Sequence, residues 1–119
     1  MESFAKYLAE FDGSAEWSKV RPLFEEVFHP DCVFLTADGE LNTEQWAEMA
    51  KGLTERAAVV SGFEVTDEQD DTIFYQLTLA VGDDEPLQMT AKGTLLDGRL
   101  IRVEPVDPAV YSTMVERSR

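Results

Sequence analysis

The sequence predicts an α+β fold: three N-terminal helices packed on a curved, mostly antiparallel sheet that wraps them into a cone. Three observations carry this reading. Over roughly the first 57 residues the apolar side chains recur at three- and four-residue steps, the period of an amphipathic helix. From about residue 60 they alternate with polar ones, the period of a strand. Between the second and third helical stretches stands one short apolar run, Cys32-Val33-Phe34-Leu35, bounded by turn signals and read as a buried strand. Helices followed by a run of hairpin-linked strands is the α+β plan.

Taken in order, Phe4, Tyr7, Leu8 and Phe11 place a first helix over about 2–12, ended by Asp12-Gly13. Val20, Leu23, Phe24, Val27 and Phe28 form the apolar face of a second helix over about 15–28, with Ser14 as its expected N-cap. Pro22 lies inside that pattern and predicts either a kink or a start near Arg21, where a proline fits the first turn. His29-Pro30-Asp31 ends this helix, because Pro30 disfavours helical geometry at the residue before it. After the Asp38-Gly39 turn, Thr43 is the expected N-cap of a third helix over about 44–57, with Trp46, Met49, Ala50 and Leu53 inward. A strand through Val60–Val65 then runs into an acidic turn at residues 67–71. Residues 72–81 alternate cleanly, with Ile73, Tyr75, Leu77, Leu79 and Val81 on the core side. Strand 86–96 follows the turn at Gly82–Glu85, and Asp97-Gly98 is a strong hairpin signal into strand 99–107. Pro105 marks an edge position or the end of that strand. Asp107-Pro108 opens a short terminal helix over about 109–115.

Length and composition describe one domain, residues 1–119, with its organised core over about 3–111. The single cysteine, Cys32, excludes an intrachain disulfide and reads as a buried thiol, compatible with a reducing compartment. With 24 acidic against 10 basic residues the net charge is -14, a field that repels phosphate backbones and anionic lipids. Nucleic-acid and membrane partners are therefore not expected. No stretch approaches the roughly 20 apolar residues of a membrane span, and the N-terminus lacks a signal-peptide layout, so a soluble cytoplasmic protein is expected. The acidic runs read as solvated turns without the ligand spacing of a calcium loop. One histidine and one cysteine cannot assemble a zinc site from the usual ligands, and no cofactor motif is present. Neither metal nor cofactor is expected.

The order of elements resembles the nuclear transport factor 2-like superfold (a cystatin-like α+β barrel), nearest its SnoaL-like branch. The resemblance rests on Trp17–Phe24 leading to Phe28-His29-Pro30-Asp31-Cys32-Val33-Phe34, on Glu44-Gln45-Trp46 with Lys51-Gly52, and on the run Gly93–Glu104. It implies a cone-shaped pocket and homodimers that pair through the outer face of the sheet. On that face the alternation puts Phe74, Thr78, Thr90, Thr94, Leu96 and Arg102, a mixed surface that allows such a dimer. Within the superfold, an isomerase of the ketosteroid type would draw a hydroxyl donor from Tyr7. Its general base would fall on Thr36 and its protonated acid on Ala91 or Lys92. None of these three is a carboxylic acid, which disfavours that mechanism. A dehydratase of the superfold relies on a pocket histidine, and His29 sits at a helix–strand corner instead.

The cone is expected to be lined by Phe24, Trp46, Met49, Met89 and Val103 with Tyr7 and Tyr75, an aromatic and methionine set suited to an apolar or planar ligand. Tyr75, Asp107 and Tyr7 are the candidate catalytic residues, since they could orient polar groups at the pocket. Each also has a structural reading: the large side chains fill a small domain, and Asp107 caps the terminal helix. Two functions stand open. One is a small-molecule-binding protein of unknown chemistry for a small hydrophobic ligand, extending to a cofactor-independent isomerase or cyclase. The other is a non-catalytic dimerisation module with a filled core.

Overall fold

The computed structural model describes residues 2–119. Helix α1 (Glu2–Ala9) buries Phe4, Tyr7 and Leu8, the three- and four-residue stripe of its sequence. It is shorter than the expected 2–12, because Phe11 and Asp12 leave the helix to meet the sheet. The Val60 N–H donates to the Phe11 carbonyl at 2.8 Å, and Asp12 bridges Val59. Helix α2 (Trp17–Val27) buries Val20, Phe24 and Val27 and continues through Pro22. Ser14 does not cap it. The Ser14 N–H and hydroxyl both donate to the Asp12 carboxylate, at 3.0 and 2.7 Å, and Glu16 holds the N-cap without a side-chain bond.

Strand β1 (Phe28–Thr36) begins where α2 ends, four residues earlier than the apolar run alone indicates. A short strand β2 (Gly39–Asn42) follows, where the sequence reads only as a turn. Helix α3 (Thr43–Glu55) is capped by Asn42 rather than Thr43. The Gln45 N–H donates to the Asn42 side chain at 2.8 Å, and the Asn42 N–H donates to the Gln45 side chain at 2.9 Å, a reciprocal capping box. The Thr43 hydroxyl donates to the His29 carbonyl at 2.8 Å, tying the helix start to the corner before β1.

The meander then runs through β3 (Val59–Gln69), β4 (Thr72–Ala80), β5 (Leu87–Leu96) and β6 (Arg99–Pro105) to helix α4 (Pro108–Arg117). The expected acidic turn is mostly strand: β3 carries Asp67, Glu68 and Gln69, and only Asp70-Asp71 turn. The six strands lie in the order β2-β1-β6-β5-β4-β3. Only β1 and β6 are parallel; every other neighbouring pair is antiparallel. Pro105 ends β6, which is an inner strand and not an edge. Two breaks in the β3–β4 register, one at Gly62 with φ of +63°, bend the long β3 over the helices. The concave face so formed, with α1, α2, α3 and α4 against it, encloses the apolar core. No helix among the described residues is long and apolar enough to cross a membrane.

Candidate functional site

Every predicted inward residue of β4 is buried: Ile73, Tyr75, Leu77 and Leu79 sit at alternate positions and face the helices. At the centre of that face lies a cavity of about 60 Å³. Helix α1 supplies Phe4, Tyr7 and Leu8 to its wall, and α3 supplies Trp46, Met49 and Leu53. The sheet supplies Phe28 and Phe34 from β1, Tyr75 from β4, Met89 from β5 and Val103 from β6. Helix α4 closes the remaining side with Tyr111 and Met114. Trp46 is fixed by stacking on Phe34, with ring centres 4.3 Å apart and planes 6° from parallel.

The wall carries no Asp, Glu, His, Lys or Arg. Its side-chain hydroxyls are those of Tyr7, Tyr75 and Tyr111, which are all three tyrosines of the chain. The Tyr75 and Tyr111 hydroxyls share a hydrogen bond at 3.3 Å. Among the described residues no inaccessible side-chain nitrogen or oxygen lacks a partner. Tyr7 lines the cavity, and its hydroxyl has no hydrogen-bond partner among the described residues. Burial away from water disfavours the phenolate and pushes all three phenols upward. Tyr111 rises to about 12, with its bond to Tyr75 pulling the other way, and Tyr7 and Tyr75 are raised as well. At neutral pH the cavity thus presents uncharged O–H donors in an apolar wall. Such a wall can hold and orient an acceptor oxygen, but it contains no group that takes up a proton near pH 7.

The structure brings Tyr7, Tyr75, Trp46, Met49, Met89 and Val103 together around this space. It does not bring Phe24 or Asp107 there. Phe24 lies one layer behind, buried against Phe28 at 4.7 Å and against Tyr7 and Trp17 at 5.8 Å. Asp107 is exposed and caps α4, accepting from the Ala109 N–H at 3.1 Å. Thr36, in the place of an isomerase base, closes the β1–β2 turn by donating to the Gly39 carbonyl at 2.7 Å. Ala91 is buried and Lys92 points outward. His29 accepts from the Asp31 N–H at 3.0 Å at the corner of β1, outside the cavity wall. Sequence reasoning did not assign Phe4, Leu8, Phe28, Phe34, Leu53, Tyr111 or Met114 to this wall, and among these Tyr111 is the one that brings a hydroxyl. Its three-residue spacing to Met114 in the predicted terminal helix was the available signal. No group of three or more His, Cys, Asp or Glu among the described residues is placed to hold a metal ion.

In three dimensions the whole chain matches known structures. A protein assigned as a SnoaL-like polyketide cyclase from Jannaschia sp. CCS1 superposes with a TM-score of 0.67 at 16% identity, over 99% of this chain and 91% of that one. A nuclear transport factor 2-like protein of unknown function from Cytophaga hutchinsonii gives 0.62 at 7% identity, over 87% and 85%. The chain has the nuclear transport factor 2-like fold. A de novo designed protein with a curved sheet shares this fold with a TM-score of 0.65 at 11% identity, over 98% of this chain and 91% of that one. At identities of 7–16% the likeness is one of fold alone, and the chemistry of this chain has to be read from its own side chains. No family model and no curated protein matches the sequence.

Proposed function

We propose that the protein binds a small, neutral, largely apolar molecule inside its cone and holds an acceptor oxygen of that molecule through phenol hydroxyls. The observation that carries this reading is the cavity wall, aromatic and methionine-rich, with neutral tyrosine hydroxyls and no charged side chain. The likeness in fold to a protein assigned as a polyketide cyclase supports a ligand of that apolar kind. Isomerisation or cyclisation by proton abstraction is not supported, because no base lines the wall. Met49, Met89 and Met114, unbranched and free to change rotamer, are the side chains that can make room.

A second reading, a non-catalytic dimerisation module with a filled core, draws on the cavity's volume. About 60 Å³ is small beside the roughly 300–1,000 Å³ of ordinary ligand sites. The outer sheet face, where Phe74 is half-buried and Leu96 is 48% exposed, would be the contact surface.

A thermal-shift screen against planar polyketides, steroids and aromatic ketones separates the two, since a ligand of the folded state raises Tm by mass action. A compound that raises Tm for the natural sequence, and does so less for Tyr7→Phe, supports the cone as a binding site. A flat screen, combined with light scattering at twice the 13.4 kDa chain mass, supports the dimerisation module instead.

A further inference from the structure

We infer that helix α4 is the gate of the cone, latched shut by the hydrogen bond between Tyr111 and Tyr75. The inference rests on the ligand-binding reading and concerns how a ligand reaches the site. A dry apolar cavity of about 150 Å³ takes up benzene, and this one measures about 60 Å³, less than half of that. One wall must therefore move, and the walls are not held equally.

Helix α1 is held by rings on several elements. Phe4 stands edge-on to Phe28, Phe63 and Tyr75, and Tyr7 to Phe24 and Phe28. Helix α3 is held by its capping box and by the Phe34–Trp46 stack. The strands are held by their ladders. Helix α4 is different: Tyr111 and Met114 are its buried residues, and both are cavity wall. Its ring contact is Tyr111 against Trp46, tilted at 45° with centres 5.0 Å apart. Val110 and Val115 are only partly buried against the core, the cap residue Ser118 rests on Gly52 of α3, and the other attachments are polar and sit at its two ends. At one end the Ala37 N–H donates to the Pro108 carbonyl at 3.2 Å and to the Ser112 hydroxyl at 3.0 Å. At the other, Arg117 pairs with Asp84 at 3.8 Å and donates to the Glu85 carbonyl. The partners Ala37 and Asp84 are exposed while Ser112 and Arg117 are half-buried, so water can compete for these attachments more easily than for the ring contacts of α1 and α3.

The hinge is the segment between the end of β6 and the helix, where Val106 is 75% exposed. Rotation there withdraws Tyr111 and Met114 together, breaks the 3.3 Å latch, and bares Tyr75, Trp46 and Met49 to an entering molecule. The gate adds no chemistry; it sets the rate of entry and exit.

The test is a reversible lock. Ala37→Cys with Ser112→Cys puts one thiol on the residue whose backbone N–H now meets the Ser112 hydroxyl and the other in place of that hydroxyl, both outside the cavity wall. Binding is followed by the emission of N-phenyl-1-naphthylamine, a neutral apolar probe. The reduced double variant should bind it at the natural rate, the oxidised form at least tenfold more slowly, with recovery on reduction. Equal rates in the two forms overturn the gate. Hydrogen exchange of the unlocked protein gives an independent reading. The amides of residues 111–115 should exchange at least a hundredfold faster than those of residues 46–53, and faster still in Tyr75→Phe. Exchange of α4 only in step with α3 also overturns the gate. If the probe binds no form of the protein, the ligand reading falls, and exchange alone decides whether α4 opens.

Discussion

At the scale of single residues, the three phenols make the protein sensitive to alkali in a defined window. An ordinary tyrosine titrates near 10.0; burial pushes Tyr111 up to about 12 and raises Tyr7 and Tyr75 well above the ordinary value. A folded-state pKa above the unfolded one means the native state holds its proton more tightly. The associated stability is complete below pH 10 and is lost as pH rises from 10 toward and past 12. Cys32, raised by burial from 9.0 to about 12, moves the onset toward pH 9. Since the chain has no other tyrosine, absorbance of phenolate at 295 nm should be absent from the native protein at pH 10 and should appear only as it unfolds. A titration in which one tyrosine ionises while the far-ultraviolet circular dichroism is unchanged would contradict the burial described here. Ala57 is a second residue-scale case. It follows α3 with φ of +55°, and the Ala58 N–H donates to the Leu53 carbonyl while the Ala57 N–H donates to that of Thr54. That is a Schellman ending in which glycine is the unstrained residue. Ala57→Gly should therefore stabilise the fold by about 1 kcal/mol and raise Tm by a few degrees in calorimetry.

At the scale of elements, the end of α4 lies so close to α3 that a Cβ at Gly52 would overlap the Ser118 carbonyl oxygen. Gly52→Ala should displace the last turn of α4, lower Tm, and speed exchange in that helix more than in β4. At the other end of α3, Asn42→Ala removes the capping box and should destabilise by about 1 kcal/mol, measurable by urea unfolding. These ends also show what the sequence disclosed and what it did not. The alternation of β4 and the helical stripes of α1 and α3 were readable because one face of each is buried over its whole length. The caps were misplaced because Ser14 and Thr43 were weighed on residue type alone. Asn42 has Gln45 three positions on, the pattern of a reciprocal box, while the Ser14 hydroxyl is drawn to Asp12 instead. Strand β2 was missed since four residues after a turn carry no period of their own. Phe24 was assigned to the pocket by its place on the correct helix face. The layer it occupies depends on Phe28 standing between it and the cavity, a distance no periodicity encodes. Asp107 looked like a pocket carboxylate from strand alternation, but the strand stops at Pro105 and the chain turns outward before reaching it.

At the scale of the whole molecule, one strand edge and one closing contact decide how the protein behaves in solution and during synthesis. The outer edge of β3 is unpaired within the sheet, yet it is bent by two register breaks and carries Glu64, Asp67 and Glu68. Charged, twisted edges resist edge-to-edge pairing. Replacing Glu64, Asp67 and Glu68 with Thr should leave the circular dichroism spectrum unchanged and produce concentration-dependent aggregates in light scattering.

The parallel pairing of β1 with β6 joins Phe34 to Val103, a contact between the first third of the chain and its last fifth. A ribosome releases Phe28 and Phe34 long before the strand that seats them exists. Until β6 arrives, the nascent chain holds the apolar half of a cone with nothing to close it. Closure of the cone thus waits for β6, and until then the chain is a set of helices beside an unfinished sheet.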